Sequence, residues 1–463
     1  MRKYFIALIA VALVFAVTAV DFASAADIKM TGVMRMRGFN VQDANQNSNT
    51  SDGRETIDSL WRPRWTMTSL GGKIKGTLEL DATGATTSGN GDGRSDAQWN
   101  RYVVDFLIPG STMRFRFGRS DWTSPDRQIF SSAGASRNWG YGLYGKINKM
   151  LSLNAWDSQT SEGGAAASDA NVYHAALTYK ASRALTVSPW VSFEVDNGVT
   201  AGTVAVTAAS TDRKLNMYGV NAKAKMGIAS LDLTGVIQRG KLDFGRGVND
   251  PALGNRKDTD VEGYAILVKL WLNFGKMKLG FNGVFMPGDD DPTDAAGDLG
   301  TQFDNKLTRF VGADCIVDGP QIITRRRFHT TGSGFRGENR CGSGNGDDNG
   351  NGSQILELLA SYNISKALSL TGNLSLISSA AKRADVDTTG DGVADGATFK
   401  SSKNVGTELD ISAKYDIYKG LWVRGTYSHL WAGDYGVANT AAGVATVDND
   451  DTTAMHFELR YTF

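Results

Sequence analysis

The sequence ends in HFELRYTF (456–463), and the alternation within it decides the fold. Read back by twos, Phe463, Tyr461, Leu459, Phe457 and Met455 share one face, while Thr462, Arg460, Glu458 and His456 share the other. Side chains along a strand point alternately to opposite faces, so this stretch reads as a strand with one apolar and one charged side. A strand of this kind at the end of a chain needs something apolar to cover it, and hydrocarbon is one such cover.

The same pattern recurs upstream. WRPRWTMTSLGGKIKGTLELDA (61–82) reads as a hairpin turning at Gly71 and Gly72, and YVVDFLIPGSTMRFRFGRS (102–120) as another turning at Pro109 and Gly110. Six more follow, GYGLYGKINKMLSLNAW (140–156) among them, so eight hairpins and a strand at each end predict 18 antiparallel strands. If the hairpin at 139–157 folds inward, the wall has 16. Pro63 and Pro189 fall inside predicted strands, where each forfeits a ladder hydrogen bond, so bulges are expected there.

At the other terminus, Arg2 and Lys3 precede an apolar run from Tyr4 to Val20, followed by Ala23, Ser24 and Ala25. This predicts a signal peptide over 1–25, leaving 26–463 as one transmembrane β-barrel. No later run is apolar enough for a helical span, whereas a barrel wall leaves only the weaker alternating trace. The 54 glycines against 8 prolines suit many strands joined by turns, and 49 basic against 49 acidic side chains give no basic excess that would point to nucleic acid. Connections are of very unequal length, the largest running from about 287 to 352 and rich in Asp, Gly and Asn.

The signal, the repeated hairpins, the RFRFGRS strand (114–120) and the terminal Phe463 with Tyr461 two residues before it together resemble a Gram-negative outer-membrane porin. The resemblance implies short turns in the periplasm and long loops outside the cell. It also implies a terminal aromatic signal, Tyr461 and Phe463, read by the outer-membrane assembly machinery, and a homotrimer in the lipid bilayer. The function implied is passive diffusion of small hydrophilic solutes and ions. A substrate-specific channel with a binding site along the pore wall is the alternative, favoured by 18 strands, and a non-transporting structural barrel is a third.

If the apolar face meets lipid, the opposite face lines the pore and sets its selectivity. Parity places Arg35 and Arg37 of VMRMRGF, Arg62 and Arg64 of WRPRW, Arg101 and Asp105 of NRYVVDFLI, and Arg114 and Arg116 of MRFRF on that inner face. An arginine facing lipid near the midplane costs about 2–4 kcal/mol, which excludes the outward alternative. Two readings stand: an electropositive strip at a constriction with mild anion preference, or wall charges paired locally. The connection RSDWTSPDRQIFSSAGASRN (119–138) lies where general porins carry an inward loop, and Asp121 and Asp126 would be its acidic side. Opposite Trp139, Tyr141 and Leu143, Gly140 and Gly142 leave lumen room for it. GYGLYG (140–145) matches G-x-G-x-x-G only within a strand, so no nucleotide site is read there.

Cys315 and Cys341, both in the largest connection of an exported chain, are expected to form a disulfide. Between them TRRRFH gathers Arg325, Arg326, Arg327 and His329, an anion-collecting patch, a clamp for lipopolysaccharide phosphates or a solvated charge run. In DVDTTGDGVAD (385–395), Asp385, Asp387, Asp391 and Asp395 are a speculative calcium set, although an EF-hand would want an acid where Gly396 stands; a solvated acidic loop is the other reading. The histidines at 174, 329, 429 and 456 lack metal-ligand spacing, and with no H-E-x-x-H or G-x-S-x-G the sequence gives no reason to read an enzyme.

Overall fold

A computed structural model describes residues 27–42, 53–85, 97–126, 138–161, 170–198, 211–244, 259–288, 306–307, 352–380, 398–399, 402–434, 438–439 and 451–463. The expected signal peptide, Cys315, Cys341, Arg325, Arg326, Arg327, His329, Asp385, Asp387, Asp391, Asp395 and residues 127–137 of the expected inward loop lie outside the described residues.

Eighteen long antiparallel strands form the wall. In chain order they are β1 Asp27–Gln42, β2 Gly53–Ser69, β3 Ile74–Ala85, β4 Ala97–Leu107, β5 Met113–Ser120 and β6 Asn138–Lys146. Then come β7 Leu151–Ser161, β8 Ala170–Lys180, β9 Leu185–Gly198, β10 Thr211–Met226, β11 Ala229–Phe244 and β12 Tyr264–Phe274. The last six are β13 Met277–Met286, β14 Ser353–Asn363, β15 Leu368–Ser378, β16 Asn404–Tyr418, β17 Leu421–Ala432 and β18 Thr452–Thr462. Short strands at Thr259–Val261, Lys306–Leu307, Thr398–Phe399 and Ala438–Asn439 lie outside this series. The hairpin expected at 139–157 is part of the wall, as β6 and β7, which settles 18 strands over 16.

Each wall strand pairs with its neighbours in sequence, and β1 pairs with β18 from Val33↔Thr462 to Gln42↔Thr453, so no wall edge stays open. At that seam Gly32 N–H donates to Phe463 O at 2.8 Å and Phe463 N–H donates to Gly32 O at 3.1 Å. A Cβ on Gly32 would come within 2.7 Å of both the Phe463 ring and the Arg62 carbonyl oxygen, so only glycine lets the terminal ring lie flat against the wall.

The eight connections β2–β3, β4–β5, β6–β7, β8–β9, β10–β11, β12–β13, β14–β15 and β16–β17 are tight and gather at one rim, while the longer ones gather at the other. In the two-residue turn between β12 and β13, Gly275 has φ 70, a conformation glycine adopts without strain. At the two prolines the ladder survives on one side only. Pro63 stays opposite Gly32 of β1, but β2–β3 pairing skips Arg62 and Pro63. Pro189 stays opposite Val220 of β10, but β8–β9 pairing lapses between Ala176↔Trp190 and Tyr179↔Val187.

Outward positions are apolar and exposed on strand after strand: Met34 and Met36, Tyr218 and Val220, Leu356 and Leu358, Leu374 and Leu376, Met455 and Phe457. Burial by protein cannot explain such a surface, whereas a bilayer can. Inward positions are of mixed chemistry. Val41, Met217, Leu267, Ile355, Ile377 and Leu430 form a buried apolar cluster towards the long-loop rim. Buried polar and charged side chains, Asn100, Asn171, Glu194, Gln238 and Glu408 among them, lie on the same half of the wall.

Candidate functional site

The inner wall of β1–β5 carries the arginines, and β-register brings a carboxylate to most of them. Arg37 of β1 lies opposite Asp58 of β2, and donates to it through Nε at 2.7 Å and Nη2 at 2.5 Å. Arg62 forks onto Asp81 of β3, and Arg64 meets Glu79, donating through Nε at 2.5 Å. Asn100 adds a 2.6 Å hydrogen bond to Asp81. Arg101 pairs with Asp121, which follows β5, and Arg35 lies between Leu60 of β2 and Arg460 of β18. Glu79 and Asp81 are buried, so their charge is held by these guanidinium groups rather than by bulk water.

Asp105 of β4 anchors the next group. It accepts from Arg116 Nε at 2.8 Å and Nη2 at 3.2 Å, and from the Tyr144 hydroxyl at 2.9 Å. The Arg116 guanidinium also lies over the Tyr144 ring, 4.9 Å from its centroid. Arg114 differs, since its donors reach backbone carbonyls of Gly72 at 3.1 Å, Lys73 at 3.3 Å and Asp105 at 3.4 Å, tying β5 to the turn below it. All the sequence-predicted wall residues therefore line one arc of the inner face. Arg37, Arg62, Arg64, Arg101 and Arg116 do so as members of ion pairs, which moderates any positive strip.

Beyond Ser120 the chain leaves the wall. Trp122 is buried, donates its indole N–H to Asn138 O at 3.0 Å, and lies against the inner side of β6. A Cβ on Gly140 would sit 2.8 Å from the Trp122 ring, and one on Gly142 would sit 3.2 Å from it. Those glycines make the space that the ring fills. Asp126 accepts from the Ser124 hydroxyl close by. Trp122 continues into an inner aromatic row, with Trp156 at 6.0 Å, His174 stacked on Trp156 at 4.7 Å, and Trp190 at 5.7 Å from His174.

A second polar arc, on β13–β17, was not singled out from the sequence. Glu357 of β14 is 2% exposed, yet its oxygens accept only from neutral groups: Asn282 Nδ2 at 2.8 Å, Asn373 Nδ2 at 3.0 Å and Ser375 Oγ at 3.4 Å. The two oxygens thus have three donors converging on them, within the acceptor capacity of a carboxyl group. Asp410 accepts from Asn373 at 3.4 Å, and Asn282, Glu357, Asn373 and Asp410 line a recess of about 250 Å³ in the wall. Its basic neighbours are engaged elsewhere, Lys414 with Asp416 at 2.7 Å and Arg424 with Glu458 at 2.8 Å. Both cations, with Arg460, also surround the Trp422 ring at 5.2 to 5.7 Å. The parity argument applied to the arginines would have found these acids, because Glu357, Glu408, Asp410 and Glu458 alternate with apolar residues in the same way. Among the described residues, no group of three or more histidine, cysteine or acidic side chains has a metal-binding arrangement.

No protein-family model and no curated protein matches the chain. Solved structures do. OpdQ of Pseudomonas aeruginosa is similar at 13% identity and a TM-score of 0.51, over 94% of this chain and 98% of that one. OprD of Pseudomonas aeruginosa is similar at 14% identity and a TM-score of 0.50, over 94% and 95%. OccAB2 of Acinetobacter baumannii is similar at 12% identity and a TM-score of 0.50, over 94% and 98%. The likeness runs nearly end to end and is one of fold.

Proposed function

We propose that this chain is an outer-membrane porin through which small hydrophilic solutes and ions diffuse passively, with selectivity set by binding positions along the pore wall. One observation carries the reading: a single closed wall presents apolar side chains outward on strand after strand while ordered charge networks line its interior. Paired charges there are maintained at a desolvation cost that only a use for them would justify. OprD, one of the structures of like fold, is an outer membrane protein.

Wall selectivity is favoured over unselective diffusion by the two unlike arcs. The β1–β5 arc holds guanidinium groups close to carboxylates, whereas the β13–β17 arc holds Glu357 with neutral partners beside a recess. A solute bearing both charges would be oriented between them. In this reading Asp121 and Asp126 belong to an inward connection whose start Trp122 fixes, the chain is exported by a cleaved signal at 1–25, and Tyr461 and Phe463 are read by the assembly machinery. Three barrels would assemble side by side, and outer-leaflet lipopolysaccharide would meet the long-loop rim. Cys315–Cys341 would staple the largest connection, and calcium at Asp385, Asp387, Asp391 and Asp395 belongs to the same proposal. Transport rather than catalysis is the role assigned.

Planar-bilayer recording tests it. The reading expects ohmic openings that small charged solutes interrupt, in steps of three for the trimer and of one for a lone barrel. Confirmed insertion with no conductance would leave the structural barrel as the answer.

A further inference from the structure

The short turns at one rim of the barrel carry basic side chains and no acidic ones. The eight short connections contain six bases, Lys73, Lys149, Arg183, Lys276, Lys366 and Lys419, and no aspartate or glutamate. All six side chains are exposed, and none forms an ion pair among the described residues. The whole chain is formally neutral, so this is segregation rather than general excess. The same rim exposes large apolar side chains beside the bases: Ile147 and Met150 flank Lys149, Ile364 lies two residues before Lys366, Met277 follows Lys276, and Tyr418, 74% exposed, precedes Lys419.

We propose that this rim binds anionic phospholipid headgroups of the surrounding leaflet, which in the orientation proposed above is the periplasmic one; the inference rests on that membrane reading. Two features favour lipid over a soluble acidic partner. The bases lie in the β2–β3, β6–β7, β8–β9, β12–β13, β14–β15 and β16–β17 turns, spread around the circumference, whereas one docked protein would need them in one sector. Each apolar neighbour would be a liability against an aqueous partner but reaches the acyl boundary beside a headgroup, the division of labour that long cationic side chains and apolar anchors adopt at interfaces.

The test uses the full chain reconstituted in phosphatidylcholine vesicles carrying a trace of spin-labelled phosphatidylglycerol or spin-labelled phosphatidylcholine. The motionally restricted fraction gives the relative association of each lipid with the barrel. Phosphatidylglycerol should be preferred about fivefold at low salt, the factor for one base beside one anionic headgroup. The preference should fall to about one in 1 M KCl, where the Debye length is about 3 Å. It should fall likewise in the variant carrying K73Q, K149Q, R183Q, K276Q, K366Q and K419Q, whose intact fold is checked by its heat-modifiable migration. Equal association of the two lipids with the inserted native barrel overturns the proposal. So does binding of soluble polyglutamate to the rim without any lipid preference, which would assign it to an acidic protein. Failure of the chain to enter vesicles at all would instead remove the membrane reading, and the lipid collar with it.

Discussion

Replacing Asp105 by Asn removes one negative charge from the inner wall and alters little else in shape. Asp105 holds Arg116 by two hydrogen bonds at 2.8 and 3.2 Å and accepts a third from Tyr144 at 2.9 Å. The Arg116 side chain is 30% exposed, so in Asp105→Asn its charge faces the pore without the carboxylate that offsets it. For an ion passing about 10 Å away through water, one unit charge is worth about 0.4 kcal/mol unscreened, and about 0.15 kcal/mol at 0.1 M salt. An anion gains that energy and a cation loses it, so the anion-to-cation permeability ratio should rise by between about 1.7-fold and fourfold. Arg116→Ala frees Asp105 and should move the ratio by a similar factor towards cations. Reversal potentials across a KCl gradient measure both, and the two shifts should shrink at 1 M, where screening acts within about 3 Å. Shifts of the same sign, or no shift in either variant, would refute the paired-wall account of these residues.

Leu358 is 61% exposed on the outer face of β14, and Leu358→Arg should cost about 2–4 kcal/mol in bilayer-based unfolding if that face meets lipid. A neutral effect would argue against it. Glu357→Gln keeps the shape of the recess but not its charge; blockade of the current by a small organic diamine should weaken about tenfold, near 1.4 kcal/mol, and unchanged blockade would remove Glu357 from the selectivity argument. Gly142→Val places its Cβ 2.7 Å from Ala155 O and 3.2 Å from the Trp122 ring, an overpacking of about 1–3 kcal/mol that should displace the ring and change single-channel conductance. A native conductance would show that the seat of Trp122 does not govern the pore.

Strand alternation made the wall legible because every inward residue has an outward neighbour of opposite chemistry. His456 to Phe463 pointed to the barrel, and the turns read at Gly71 with Gly72 and at Pro109 with Gly110 lie within the connections that the structure closes. The strand ends towards the long-loop rim were less legible: β10 and β11 run on to Thr211 and Phe244, where the outer face ceases to be apolar and periodicity no longer separates wall from loop. Parity also put the arginines inside. It could not name their partners, since which carboxylate meets Arg37 or Arg62 is fixed by register across hairpins and across the 43–52 connection, and register is a tertiary outcome. The recess shows the same limit at longer range. Asn282 and Glu357 are adjacent in space but 75 residues apart in sequence. Gly140 and Gly142 signalled inner space correctly, while the identity of Trp122 as its occupant emerged only from packing.

The alternation itself is open to direct measurement along β15, where Asn373 and Ser375 face inward, and Leu374 and Leu376 face outward at 40% and 53% exposure. Single cysteines at 373, 374, 375 and 376, in a chain with Cys315 and Cys341 replaced by serine, would each carry a fluorophore in vesicles of brominated lipid. Strong quenching at 374 and 376, with weak quenching at 373 and 375 and aqueous iodide access at 373, is the predicted result. Equal quenching at all four positions would contradict the division of this wall between hydrocarbon and water.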